Sequence, residues 1–93
     1  MVSQKVVITY PHGIHLRAAS KLAMSVADCK SEVVLRYEKN EMHCTSNLRS
    51  MLSVLSAGIR EYQEIQIECY GPDEEETMKK LLLELQKGIG RCV

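Results

Sequence analysis

The sequence predicts an α+β fold, a two-layer open-faced sandwich in which a four-stranded, mostly antiparallel sheet carries three helices on one face. Segments with an apolar period of two alternate with segments whose apolar residues recur every three or four positions, in the order β-α-β-β-α-β-α. Four short strands suffice for one sheet, whose second face would stay partly exposed. A chain of 93 residues holds one hydrophobic core, so we expect residues 1–93 to form a single domain.

The composition argues against several classes of function. Twelve basic and twelve acidic residues give a formal net charge of zero, and the aromatic residues are four tyrosines, so we expect no binding to nucleic acid. No apolar run approaches the length of a membrane span, and we expect no secretory leader because the first residues lack its pattern. The four cysteines lack zinc-site spacing, and we expect reduced thiols in a cytoplasmic protein that holds no metal or cofactor.

The first strand is predicted over residues 2–10, where Val6 and Ile8 share one face and Pro11 ends the alternation. A helix over residues 16–27 follows it. The apolar stripe of this helix consists of Ala19, Leu22, Ala23 and Val26.

The turn between this strand and helix has the sequence Pro-His-Gly-Ile-His-Leu-Arg. Gly13 can adopt positive φ without steric cost, and His15 falls at or just before the first helical residue. There the N–H groups of Leu16, Arg17 and Ala18 lack intrahelical partners, and the helix dipole favours an anion. A nucleophilic His15 ring beside the permanently charged Arg17 suits a covalently held phosphoryl group. Spacing alone leaves a capping or ordinary surface histidine as the alternative.

A hairpin is predicted from two alternating segments, residues 32–38 and residues 41–45, with the turn at Lys39 and Asn40. In the first segment, Val33, Leu35 and Tyr37 lie on one side. The second helix is predicted over residues 48–57.

Ser46 or Asn47 is expected to cap the second helix. The helix is apolar around much of its surface, so it is either buried on two sides or partly exposed beside Ser50. On the first helix, Leu16 and Met24 also lie outside the core stripe, as extra core contacts or as a docking surface.

The last strand is predicted over residues 64–70, and Pro72 is expected to open the third helix with acidic residues in its first turn. Gly88 is a stop signal, and residues 90–93 carry no predicted structure. The inward residues of the strand are Ile65, Ile67 and Cys69, and those of the helix are Met78, Leu81, Leu82 and Leu85.

Three patches of the chain resemble the HPr family, the histidine-containing phosphocarriers of the phosphoenolpyruvate-dependent sugar phosphotransferase system. They are Gly-Ile-His-Leu-Arg at 13–17, Asn-Leu-Arg-Ser-Met-Leu at 47–52 before Gly58-Ile59, and Glu-Ile-Gln-Ile at 64–67 before Gly71 and an acidic helix start. The patches follow one another in the family's order and near its separations. The resemblance therefore covers nearly the whole chain.

The resemblance implies a bacterial, cytoplasmic phosphoryl carrier without independent enzymatic turnover. His15 would accept a phosphoryl group from phosphorylated enzyme I and pass it to a IIA-type domain of a sugar permease, or to another acceptor. Arg17 and the backbone N–H groups of Leu16, Arg17 and Ala18 would stabilise the phosphate oxygens. We expect a monomer without a metal ion.

The resemblance also implies regulation at Ser50, which corresponds to the serine that HPr kinase/phosphorylase modifies in many bacteria. A protein read by its partners through Ser50, with little or no role in sugar transport, is the alternative function. A small binding module whose histidine is there by chance is a third reading. The partner surface implied by the resemblance consists of Leu16, Met24, Met51, Leu52 and Leu55.

The sequence departs from the family pattern at three positions near these patches. Ala18 stands where proline is usual, and we expect the helix to survive because alanine is a good helix former. His12 replaces an asparagine or serine, which affects the local cap. Tyr62 stands where a turn glycine is common.

Overall fold

The computed structural model describes residues 1–93 and contains five strands and three helices. In chain order these are β1 (Val2–Ile8), α1 (Leu16–Ser25), β2 (Glu32–Lys39), β3 (Met42–Asn47), α2 (Met51–Ala57), β4 (Glu64–Tyr70), α3 (Glu74–Leu85) and β5 (Gly90–Cys92). The predicted α+β open-faced sandwich is confirmed, and the fifth strand is an addition to it.

The five strands form one sheet in the order β3-β2-β4-β1-β5, and every neighbouring pair is antiparallel. One face of the sheet packs with the three helices around a single apolar core. The predicted alternation places the expected residues in that core. They are Val6 and Ile8 of β1, Val33 and Leu35 of β2, and Ile65, Ile67 and Cys69 of β4.

The fifth strand corrects the expectation that residues 90–93 carry no structure. Its three residues pair with Val6, Val7 and Ile8 of β1 and so cover an otherwise open sheet edge. Gly90 permits the approach, because a Cβ there would lie 2.7 Å from the carbonyl oxygen of Val7. A three-residue strand is too short to show an apolar period, so the sequence pattern could not reveal it.

Several predicted boundaries shift because tertiary contacts compete with the local pattern. The first strand ends at Ile8 rather than residue 10, since the N–H groups of Thr9 and Tyr10 both donate to the carbonyl of Ile89. The first helix ends at Ser25 rather than residue 27. The predicted turn at Lys39 and Asn40 lies one residue later.

That turn consists of Asn40 and Glu41, which both have positive φ (53° and 65°) and join the paired residues Lys39 and Met42. Two left-handed residues make a type I′ hairpin turn, whose twist matches that of the flanking strands. Asparagine tolerates this region, whereas glutamate adopts it only at a steric cost.

The helices α1 and α2 run in opposite directions beside each other. Ahead of α1, the N–H of Ile14 donates to the carbonyl of Ile59, which follows α2. At the other end, Arg49 precedes α2 and its Nη2 donates to the carbonyl of Val26, which follows α1 (3.1 Å). The beginning of each helix therefore lies near the end of the other.

The start of α3 is tied to the connection between α1 and β2. The carboxylate of Asp73 accepts hydrogen bonds from the N–H groups of Lys30 and Ser31, both at 2.9 Å, and from the hydroxyl groups of Ser31 and Thr77. These donors lower the pKa of Asp73 to about 2. Asp73 is the N-cap of α3, so the helix begins at Glu74 and not at Pro72. The side chain of Asp73 links two segments that are distant in sequence.

The four cysteines are unpaired. Cys69 lies in the core as a small apolar residue, and burial raises the pKa of its thiol to about 11. No helix in the structure is long and apolar enough to span a membrane.

Candidate functional site

His15 occupies the N-cap of α1, at the position that the strand-to-helix turn predicts. Its backbone is extended (φ −103°, ψ −174°), and its side chain makes no capping hydrogen bond. The ring is exposed and has no hydrogen-bond or ion-pair partner within the chain. The imidazole is therefore positioned by its backbone alone, with its nitrogens open to an incoming group.

Gly13 holds the His15 turn against the segment that follows α2. Its φ is +85°, and a Cβ there would lie 2.1 Å from the carbonyl oxygen of Ile59 and 2.8 Å from the Cα of Arg60. That same carbonyl accepts the N–H of Ile14 at 3.0 Å. Only glycine permits this contact, so the glycine sets the direction in which the chain enters α1.

The first turn of α1 presents three unpaired donors. The N–H groups of Leu16, Arg17 and Ala18 have no acceptor within the chain, as expected for a helix start without a side-chain cap. Arg17 is exposed, and its guanidinium makes no hydrogen bond or ion pair. Backbone dipoles and a free cation therefore surround the helix end that follows His15.

The three departures from the family pattern have clear local consequences. Ala18 is fully buried in α1, and the helix forms from Leu16 without a proline. His12 is not a cap; it adopts positive φ (66°), and its N–H donates to the carboxylate of Glu61 at 3.3 Å. Tyr62 also adopts positive φ (69°) while its ring is exposed, which explains why glycine is the ordinary choice there.

Ser50 is the N-cap of α2, which corrects the expectation that Ser46 or Asn47 would cap this helix. Its hydroxyl accepts a hydrogen bond from the N–H of Ser53 at 3.4 Å, and Ser50 itself is exposed. Asn47 instead accepts from the N–H of Arg49, which delays the helix until Met51. Ser46 is buried in β3 against Tyr37.

His15 and Ser50 lie at opposite ends of the pair formed by α1 and α2. Each begins a helix, and the two helices are antiparallel, as the contacts of Ile14 and Arg49 establish. The ten residues of α1 span about 15 Å at 1.5 Å per residue. The structure thus separates the two candidate phosphate sites instead of bringing them together.

The predicted partner residues are mostly exposed on the two helices. The exposed fractions of Leu16, Met24 and Leu52 are 61%, 75% and 78%. Leu55 is exposed to a smaller extent, and Met51 is half-buried against the core, so it presents only part of its side chain. An exposed apolar surface of this kind on a small protein is typical of a binding site.

Arg49 has a structural role that the sequence pattern did not indicate. Its Nη2 donates to the carbonyls of Val26, Cys29 and Ser31 at 3.1, 2.7 and 3.1 Å. These carbonyls lie just beyond α1 and at the entry to β2, where helical partners are missing. No local motif marks an arginine that caps another helix, since its acceptors lie 18 or more residues away in sequence.

A second unpredicted cluster lies on the open face of the sheet. Glu68 is a charged residue on the face of the sheet away from the core, and yet it is buried. The Tyr70 hydroxyl and the Arg36 guanidinium donate to its carboxylate at 2.5 and 2.7 Å. These hydrogen bonds lower the pKa of Glu68, and the one from Tyr70 has the larger effect.

No cluster of three or more His, Cys, Asp or Glu side chains in the molecule is arranged to hold a metal ion.

Comparisons with known proteins agree with this geometry. A family model described as "PTS HPr component phosphorylation site" matches residues 2–86. The phosphocarrier protein HPr of Mycoplasma genitalium is 37% identical over 81 residues, which cover 87% of this chain and 89% of that protein.

Solved structures give the same result. A histidine-containing phosphocarrier protein of Mycoplasma superposes with a TM-score of 0.81 at 25% identity, covering 95% of this chain and 98% of that one. The catabolite repression protein Crh of Bacillus subtilis, solved as a dimer with a swapped domain, superposes with a TM-score of 0.67 at 27% identity, covering 96% and 98%. The family match spans more than nine-tenths of the sequence, and the fold agrees throughout. This chain therefore belongs to the HPr family, the phosphocarrier component of the phosphotransferase system, and is not an enzyme with independent turnover.

Proposed function

We propose that in the bacterial cytoplasm His15 accepts a phosphoryl group from phosphorylated enzyme I and passes it to a IIA-type domain of a sugar permease. The observation that carries this proposal is the exposed, unbonded ring of His15 at a helix start with unpaired N–H groups. A ring nitrogen would attack phosphorus with its lone pair. The bond between phosphorus and the donor atom would break, and its electron pair would stay on the donor.

The first turn of α1 would stabilise the phosphate oxygens without forming a covalent bond to them. The N–H groups of Leu16, Arg17 and Ala18 provide aligned dipoles, and the guanidinium of Arg17 provides a full charge. Because Leu16 and Arg17 are exposed to water, these donors would hold the group moderately. A carrier requires this, since tight binding of the phosphoryl group in the ground state would slow its onward transfer.

The exposed apolar side chains of α1 and α2 are the docking surface in this proposal. Leu16 follows His15 directly, and Leu52 lies on the neighbouring helix, so a partner that reaches His15 can bury both. Apolar burial is non-directional, which suits a carrier that must dock successively on a donor and an acceptor of different shape.

The test is phosphorylation of the protein by enzyme I with phosphoenolpyruvate and magnesium, followed by mass spectrometry before and after mild acid. We expect one acid-labile phosphoryl group. It should be absent from His15→Ala and present in His43→Ala, a matched variant that removes another exposed histidine. Absence of the group from the unmodified protein with its cognate enzyme I would refute the carrier role of His15.

A second proposal concerns Ser50, whose hydroxyl is exposed at the start of α2. Modification by HPr kinase/phosphorylase would add about −1.5 to −2 charge units there. The separation of about 15 Å along α1 exceeds the Debye length of about 8 Å at physiological ionic strength. We therefore expect the phosphate to act by repelling acidic partners from the docking surface, and not by a direct field on His15.

This second proposal is tested with HPr kinase/phosphorylase and ATP. Ser50 should gain an acid-stable phosphate that Ser50→Ala lacks, while Ser53→Ala, one turn along the same helix, keeps it. The modified protein should then be phosphorylated more slowly by enzyme I, through a higher KM. A modified protein that binds a regulatory partner but never receives a phosphoryl group on His15 would instead support the alternative function, regulation without sugar transport.

A further inference from the structure

The segment that follows α2 brings a second arginine to the His15 turn. The Cα of Arg60 would lie 2.8 Å from a Cβ at Gly13, so the two backbones are in direct contact. Gly13 precedes His15 by two residues, a span of at most about 7 Å. The long side chain of Arg60 therefore starts within reach of a group carried on the His15 ring.

The backbone of Arg60 is held rigidly at this place. Its carbonyl accepts the N–H of Gln63 at 3.1 Å, and its N–H donates to the side-chain oxygen of Gln63 at 2.9 Å. Gln63 is in turn anchored to the carbonyl of Glu38. The N–H of Tyr62 and the carbonyl of Ile8 form a further bond between this turn and β1.

The side chain of Arg60, in contrast, has no partner. It is exposed, and its guanidinium makes no hydrogen bond or ion pair with the rest of the chain. The neighbouring carboxylate of Glu61 accepts the N–H of His12. Arg60 is thus a free cation on a fixed backbone beside the candidate site, and it belongs to a different segment of the chain from Arg17.

We propose that Arg60 is a second positioning residue for the phosphoryl group on His15, which it contacts from the segment after α2 while Arg17 contacts it from α1. This proposal rests on the carrier role proposed for His15. When the ring nitrogen forms its bond to phosphorus and the donor atom leaves with its electron pair, the three phosphate oxygens keep their negative charge. Arg60 would bind these oxygens and favour the doubly charged form of the group.

The first measurement is the titration of the phosphohistidine by phosphorus NMR, on protein phosphorylated with phosphoramidate so that no partner protein is needed. In Arg60→Gln the last pKa of the phosphoryl group should rise by about half a pH unit, because an exposed ion pair changes an equilibrium by about threefold. Arg60→Lys, which keeps the charge, should restore most of the difference. Lys79→Gln, an exposed residue of α3, removes the same charge elsewhere and should leave the pKa unchanged.

The second measurement is the rate of phosphorylation by enzyme I, where Arg60→Gln should lower kcat/KM about threefold relative to Lys79→Gln. Equal phosphohistidine pKa values in Arg60→Gln and Lys79→Gln would overturn the role of Arg60 while leaving the carrier role intact. Failure of enzyme I to phosphorylate any of the proteins would count against the carrier proposal, and the NMR titration would still decide whether Arg60 contacts the group.

Discussion

At the scale of single residues, Gly13 determines how the His15 turn is held. Gly13→Ala should lower the free energy of unfolding by about 3 kcal/mol, because a left-handed alanine costs about 1–2 kcal/mol and overpacking against the Ile59 carbonyl adds about 1–3 kcal/mol. Urea denaturation measures the loss. Gly58→Ala is the matched control, since Gly58 has a similar φ (64°) but no atom closer than 3.7 Å to its Cβ position. Equal losses in the two variants would show that the close contact with Ile59 is unimportant.

Tyr62 is the residue where a substitution should stabilise the protein. The carbonyl of Arg60 accepts the N–H of Gln63, and Tyr62 has φ of 69° at the third position of this turn, where a type II turn requires glycine or asparagine. Tyr62→Gly should raise the free energy of unfolding by about 1 kcal/mol, because the relief of left-handed strain exceeds the entropic cost of glycine. Tyr62→Ala keeps the Cβ and should give no such gain. A similar gain in both would mean that exposure of the aromatic ring, and not φ, limits stability.

At the scale of elements, Asp73 joins the start of α3 to the connection between α1 and β2. Its pKa is about 2 in the folded protein, below the ordinary value of 3.8. The carboxylate therefore stabilises the fold above pH 3.8, and this contribution is lost as the pH falls towards 2. In Asp73→Asn the protein should be less stable at neutral pH, and its urea midpoint should fall less steeply between pH 4 and pH 2.

The measurement for Asp73 is a series of urea denaturation curves from pH 7 to pH 2. Ser31→Ala removes one hydroxyl donor to the same carboxylate and should give an intermediate slope between pH 4 and pH 2. Curves for the unmodified protein and Asp73→Asn that decline in parallel over that interval would contradict the assignment.

The elements themselves followed closely from the sequence, and their ends did not. The periodic spacing of apolar residues predicted three helices and four strands, because burial of one face determines where apolar side chains must recur. Ends depend on which donor or acceptor completes each backbone group. Ser50 caps α2 because the side chain of Asn47 already accepts the N–H of Arg49. The strand β1 ends at Ile8 because the N–H groups of Thr9 and Tyr10 donate to the carbonyl of Ile89.

At the scale of the whole molecule, β5 is the outermost strand at one edge of the sheet and covers β1. Deletion of residues 90–93 should lower the free energy of unfolding by about 2 kcal/mol, through lost backbone pairing with β1. It should also accelerate amide hydrogen exchange at Val6–Ile8. Cys92→Ser, which keeps the backbone, should change neither quantity. Unchanged exchange at Val6–Ile8 after the deletion would mean that the pairing with β5 contributes no protection.

The sheet and helix pair also determine how the proposed sites relate to each other. The antiparallel arrangement of α1 and α2 places His15 and Ser50 at opposite ends of one surface, which carries Leu16, Met24 and Leu52. A partner docked on this surface can contact either end. The same arrangement brings Arg60 to the His15 turn, although 45 residues of sequence separate it from His15.

The sequence by itself determined the fold class, the core residues of three strands, and the place of His15 at the start of α1. These features depend on local period, on Gly13 and on the free N–H groups of a helix start, all of which are properties of short segments. Only the tertiary structure decided the fifth strand, the cap at Ser50, the bridge made by Arg49 and the position of Arg60. Each of these depends on hydrogen bonds or close contacts between segments far apart in the chain, and such contacts leave no periodic signal in the sequence.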